Sequence, residues 1–221
     1  MPRLELSGSA GRLEALLDEP TPAGTVGADG IVSPGHEGGL RAGVVFAHPH
    51  TEHGGTMHTK VVYQAAKALS RIGCAVLRFN FRGAGASEGH FTNGPGEIED
   101  FRSALDAVTE RYPGARLWAA GMSFGSWVAM SVGAEDSRVS TLIGIALPVA
   151  RYDFGAVERS TKPKFFIHGE FDEICPLKEL RAFYARAAEP KELVVIDTAD
   201  HVFDGKVSDV SGAIEDLLGD W

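Results

Sequence analysis

Arg116-Leu117-Trp118-Ala119-Ala120-Gly121-Met122-Ser123-Phe124-Gly125 is the stretch on which the reading of this chain turns. From Arg116 to Met122 it is an apolar run preceded by Pro113-Gly114, the pattern of a buried strand. From Phe124 to Ala134 apolar residues fall on every side, the pattern of a buried helix. The chain must therefore reverse at Gly121-Met122-Ser123-Phe124-Gly125. In so tight a turn the residues two before and two after the serine must be small, or the backbones cannot pass. A helix beginning there sets the Ser123 oxygen beside free N–H groups and the positive end of the helix dipole, which favours a developing oxyanion. The pattern alone is weak, since in a chain with 27 glycines chance supplies roughly 0.2 such matches. The flanking strand and helix give it weight. A serine cap beside packing glycines is the plainer alternative.

Outward from this turn, strand and helix patterns alternate. Ala42–His48 is a continuous apolar run of the kind buried on both faces of a sheet. Val61, Ala65, Leu69 and Ile72 recur at helical spacing, and Ala75–Asn80 is the next strand. Ile98, Phe101, Leu105, Val108 and Tyr112 make the best amphipathic helix. Val139–Leu147, Lys164–His168 and Leu193–Ile196 read as strands, and Lys178–Ala188 and Val207–Leu218 as helices. Leu4–Leu6 and Leu13–Leu17 look like an opening antiparallel pair. The alternation predicts an α/β fold, a mostly parallel sheet with helices on both faces. One domain spanning 1–221 is expected, with residues 22–40, rich in Gly and Pro, as a surface loop. Roughly fifteen residues join Leu147 to Pro163, too few for a lid domain.

Composition narrows the function classes. The 221 residues are 44% hydrophobic and 23% charged, which excludes disordered and fibrous architectures. A net charge of −9 makes nucleic acid a poor partner. Cys74 and Cys175 are too few for a disulfide framework or a cysteine-rich zinc site. No apolar run suits a membrane span, and Met1-Pro2-Arg3-Leu4-Glu5-Leu6 lacks the apolar block of a signal peptide, so a cytoplasmic protein without membrane partners is the expectation.

Downstream of Ser123 two strands end in residues that suit it. Phe165-Phe166-Ile167-His168-Gly169-Glu170-Phe171-Asp172 ends in an acid, and Leu193-Val194-Val195-Ile196-Asp197-Thr198-Ala199-Asp200-His201 ends in a histidine. His201 would take the serine proton and return it to the leaving group, and Asp172 would orient the imidazole and stabilise its charged form. Glu170, Glu173 and Asp153 are alternatives for the acid. Asp172 as a plain turn residue and His201 as a partly buried polar residue are the blander readings.

These residues resemble the α/β-hydrolase fold from about Ala42 onward, most closely a small, lidless bacterial branch of hydrolases and esterases related to dienelactone-hydrolase-like proteins. Four segments carry the likeness: His48-Pro49-His50 with Gly54-Gly55-Thr56-Met57-His58; Phe79-Asn80-Phe81-Arg82-Gly83-Ala84-Gly85-Ala86-Ser87-Glu88-Gly89; the serine turn; and Asp200-His201-Val202-Phe203-Asp204-Gly205. The resemblance implies a three-layer fold around about eight strands. It also implies an oxyanion hole from the backbone N–H groups of His50 and Phe124. Dienelactone hydrolases proper carry cysteine at the turn, so serine shifts the expectation towards ester hydrolysis. The Arg82–Gly89 segment is expected to be mainly structural.

The expected function is a serine carboxylesterase acting on small or short-acyl esters through an acyl-enzyme, with an open site and no cofactor or metal. Phe124, Trp127, Val149, Tyr152, Phe154 and Val202 are candidate apolar walls, and Cys175 is a bystander. Two other classes stand beside it. His48-Pro49-His50-Thr51-Glu52-His53 resembles the His-x-His-x-Asp-His signature of metallo-β-lactamase-like hydrolases, with glutamate where aspartate is usual. A catalytically silent binding protein on the same scaffold is the third. The oligomeric state stays open, a homodimer included.

Overall fold

A computed structural model describes residues 3–22 and 39–221. Eight strands form one sheet: β1 (Arg3–Gly8), β2 (Gly11–Asp18), β3 (Ala42–Ala47), β4 (Cys74–Phe79), β5 (Leu117–Met122), β6 (Val139–Ile145), β7 (Lys164–Gly169) and β8 (Lys191–Ile196). Their spatial order is β1-β2-β4-β3-β5-β6-β7-β8. β1 pairs with β2 and β2 with β4 antiparallel, and every later pairing is parallel. The mostly parallel sheet expected from the alternation is present. The loop expected over 22–40 lies almost wholly outside the described residues.

The helices follow from the same patterns. They are α1 (Lys60–Arg71), α2 (Pro95–Arg111), α3 (Phe124–Glu135), α4 (Gly155–Arg159), α5 (Leu177–Arg186) and α6 (Val207–Leu218). One core lies between the sheet and α2 to α5, built on Phe79, Phe81, Phe101, Phe124, Phe166 and Phe183. The other lies under α1 and α6, with Phe46, Trp118, Phe165 and Ile214. Because both faces are covered, β3, β4, β5 and β7 are buried at every position, which is why they read as unbroken apolar runs. None of the described helices is long and apolar enough to cross a membrane.

Some expectations shift. The connection after β6 contains a helical turn, α4, that its five-residue length hid from periodicity. β6 stops at Ile145, because Ala146 takes a positive φ of 52° and turns the chain away. α1 starts at Lys60, and His58 is exposed in the turn before it, where the residue pattern suggests the start of a helix.

The Arg82–Gly89 segment is a bracket between the antiparallel strands and α2. Arg82 forms an ion pair with Asp100 at 2.6 Å, with Asp100 fully buried. Ser87 Oγ donates to the Asn80 carbonyl at 2.7 Å and accepts the Glu14 N–H at 2.9 Å. These bonds spend both side chains on architecture, as the sequence suggests.

Candidate active site

Parallel strands deliver their carboxyl ends to one edge of the sheet, and the turns leaving β3, β5, β7 and β8 meet there. Ser123 sits between β5 and α3 with φ 52° and ψ −124°, a conformation that non-glycine residues seldom adopt. Small neighbours make it feasible. A Cβ on Gly121 would strike the Gly125 carbonyl, and a Cβ on Gly125 would strike the His48 carbonyl.

Ser123 Oγ lies 3.0 Å from His201 Nε2, and His201 Nδ1 lies 2.8 Å from Asp172 Oδ2. Asp172 is buried, and its other oxygen accepts the N–H groups of Ile174 at 3.0 Å and Cys175 at 2.7 Å. With that oxygen held by the turn, the second is left facing His201. The alternative acids face elsewhere: Glu170 accepts the Thr198 N–H, Asp153 accepts the Gly155 N–H, and Glu173 is exposed.

His201 reaches Asp172 because two loops come close. A Cβ on Gly169 would lie 2.5 Å from the Ala199 carbonyl and 2.6 Å from that of Asp200. Only a hydrogen at this position lets the end of β7 approach the histidine loop.

The backbone N–H groups of His50 and Phe124 find no acceptor among the described residues. Phe124 opens α3, so its N–H points out of the helix end. His50 is placed by a short 3-10 turn, Thr51–His53, and its carbonyl accepts the N–H groups of His53 and Gly55 at 3.1 Å. The His50 ring packs against Phe91 at 4.4 Å and His53 at 4.6 Å between ring centres. Burial lowers its pKa, with the neighbouring His53 adding to the effect.

The cluster His48, His50 and His53 does not form a metal centre. His48 is fully buried; its Nδ1 lies 2.6 Å from the Pro49 carbonyl and its Nε2 accepts the Phe81 N–H at 3.0 Å. With both nitrogens bonded and burial pushing its pKa down to about 4, His48 is a neutral strut that ties β3 to the chain after β4. Sequence gives this residue as a candidate ligand, and only packing shows its use. Among the described residues, one group of three ligating side chains converges: Asp172, Cys175 and His201, within 4.8 Å. Two of these are already bonded to each other, and burial pushes the Cys175 thiol up to about 12, so it stays protonated. The set is a poor fit for a resident cation.

A cleft of about 490 Å³ opens over Ser123. Phe124, Tyr152 and Val202 line it as expected, while Trp127 supports Tyr152 from behind by ring stacking at 4.6 Å. Phe154 belongs to the core, and Val149 packs against it half-buried. Arg151 and Ile174 also line the cleft and escaped the sequence reading, because nothing in their local pattern separates them from ordinary loop residues.

Known proteins share this fold. The family described as serine aminopeptidase, S33, matches residues 41–153. An uncharacterized protein of Rickettsia prowazekii is 36% identical over 180 residues, which cover 77% of this chain and 76% of that one. A Xanthomonas campestris α/β serine hydrolase without a lid superimposes with a TM-score of 0.88 at 33% identity, over 100% of this chain and 94% of that one. An α/β serine hydrolase homologue from Coxiella burnetii gives 0.87 at 31% identity, over 98% and 97%.

Proposed function

The chain belongs to the serine aminopeptidase S33 family of lidless α/β-hydrolase-fold proteins, and from that premise we propose that it is a serine carboxylesterase for small or short-acyl esters. The observation that carries the reading is the continuous chain Ser123 Oγ–His201–Asp172, at 3.0 and 2.8 Å, on the floor of an open cleft beside two unpaired N–H groups.

The chemistry follows from the roles those atoms can take. Ser123 Oγ attacks the ester carbonyl as its proton passes to His201 Nε2. Asp172 holds the Nδ1–H and stabilises the imidazolium. The new alkoxide is received by the N–H groups of His50 and Phe124. Collapse expels the alcohol, which takes the proton from His201 and leaves an acyl group on Ser123. A water molecule, deprotonated by His201, then releases the acid and restores the serine.

Ester cleavage is favoured over aminopeptidase activity by the cleft lining. Recognition of a substrate ammonium group calls for a carboxylate, and among the described residues neither Asp nor Glu lines the cleft. The open site suits small substrates that need no lid to bury them.

A fluorophosphonate should add its mass to Ser123, and Ser123→Ala should abolish cleavage of p-nitrophenyl acetate. Turnover that survives Ser123→Ala and is lost to a chelator would instead support metal-dependent hydrolysis. The absence of both labelling and turnover would support a silent scaffold. A panel of esters, thioesters, amides and lactones ranks the acyl donors.

A further inference from the structure

The cleft has a one-sided charge. Among the described residues its lining includes no carboxylate, in a protein of net charge −9. His50, held below the usual histidine range by burial, contributes no charge at neutral pH. Arg151 is the one arginine or lysine among the described residues of the lining.

Arg151 is also unspent. Arg78, Arg82 and Arg138 pair with carboxylates at 2.6 to 2.7 Å. The Arg151 guanidinium has no hydrogen bond or ion pair with any described residue and faces solvent. Other exposed arginines are free as well; what distinguishes this one is its place. Its backbone is anchored by a turn in which the Arg151 and Tyr152 N–H groups donate to the Pro148 carbonyl at 2.9 and 3.2 Å. Its positive charge acts on the Tyr152 hydroxyl and the Cys175 thiol, opposing the rise that burial gives both. Arg151 therefore lines the cleft together with Tyr152, and no described residue pairs with its charge.

A free guanidinium presents a planar fork of donors that matches a carboxylate. We infer that Arg151 is an anion-binding residue and that the preferred esters carry a carboxylate a few bonds from the scissile carbonyl. The apolar walls, Phe124, Tyr152, Ile174 and Val202, would hold the intervening carbon chain. This assignment rests on the esterase reading and deepens it.

The test compares esters that differ only in the distal group. On the acyl side the pair is mono-p-nitrophenyl adipate and p-nitrophenyl hexanoate; on the alcohol side it is 4-acetoxybenzoate and its methyl ester. In at least one pair, the ratio of kcat/KM for the charged over the neutral ester should exceed one. It should fall at least tenfold in Arg151→Gln and recover in part in Arg151→Lys. A ratio unmoved by Arg151→Gln in both pairs overturns the inference. Should no ester be cleaved, the esterase reading fails by itself, and calorimetry with adipate tests the subsite separately. Binding weakened at least tenfold by Arg151→Gln supports it; equal binding, or none to the wild-type protein, sinks it.

Discussion

His168 Nε2 lies 2.6 Å from the carbonyl oxygen of Cys175, and the ring is fully buried beneath the turn that carries Asp172. That turn runs from Asp172 to Cys175 and is closed from within by Asp172 Oδ1. His168 closes it from below, and its Nε2 is 3.7 Å from Asp172 Oδ2. Burial lowers the pKa of the ring, so it is a neutral donor at physiological pH.

His168 thus holds the turn that carries Asp172, and on the proposed mechanism it would position the acid. His168→Ala should lower kcat for p-nitrophenyl acetate about 10- to 100-fold with little change in KM, since small displacements of reacting groups are costly. His168→Gln, which offers an amide N–H at a similar reach, should recover much of the loss. A variant that loses melting temperature but keeps its kcat would show the bond to be merely structural.

Gly169→Ala tests the approach of the two loops. Its methyl group would meet the Ala199 and Asp200 carbonyls at 2.5 and 2.6 Å, and backbone on both sides leaves little room to yield. The histidine loop must move, so kcat should fall by about 100-fold while far-ultraviolet circular dichroism stays close to that of the wild type. Full activity in this variant would show that the loop can relax.

The Arg82–Asp100 pair should matter for stability alone. Asp100 is buried and receives both the Arg82 side chain and its backbone N–H. Removing one partner of a buried pair strands the other charge, at a cost of about 3–5 kcal/mol. Urea unfolding of Arg82→Ala should show that loss, and the variant should retain ester turnover at low temperature.

Acid should weaken the fold through His48. Its pKa falls from 6.5 to about 4 because burial penalises the charged ring. Below pH 6.5 the unfolded chain takes up a proton that the folded one refuses. The stabilisation is therefore complete above pH 6.5 and is lost as pH falls towards 4, by about 3 kcal/mol in all. His168, shifted the same way by burial, adds to the slope. His48→Gln, whose amide oxygen can still accept the Phe81 N–H, should give a shallower dependence of urea stability on pH between 7 and 4.5. An unchanged slope would remove His48 as the cause.

Much of the architecture is written in local pattern. Fully buried strands such as β3 and β5 must be apolar throughout, and helices against them must show a 3.6-residue stripe or, like α3, apolar residues all round. Those demands are met residue by residue, so they can be read without the fold. Short elements escape: α4 is too brief to show a period, and the end of β6 rests on one backbone angle at Ala146.

By itself the sequence determined the alternating α/β order, the serine between a buried strand and a buried helix, and the small residues that such a turn demands. Tertiary structure alone decided which acid faces His201. Glu170, Asp153 and Asp172 are equivalent as letters, and only the turn N–H groups that claim Asp172 Oδ1 leave its partner oxygen aimed at the imidazole. It likewise turned His48 from a candidate metal ligand into a buried strut, and it left Arg151 at the edge of the cleft with no partner among the described residues. The bonds that fix these roles across the fold, His201 to Asp172 and the Phe81 N–H to His48, join residues 29 and 33 positions apart, a separation that local pattern does not encode.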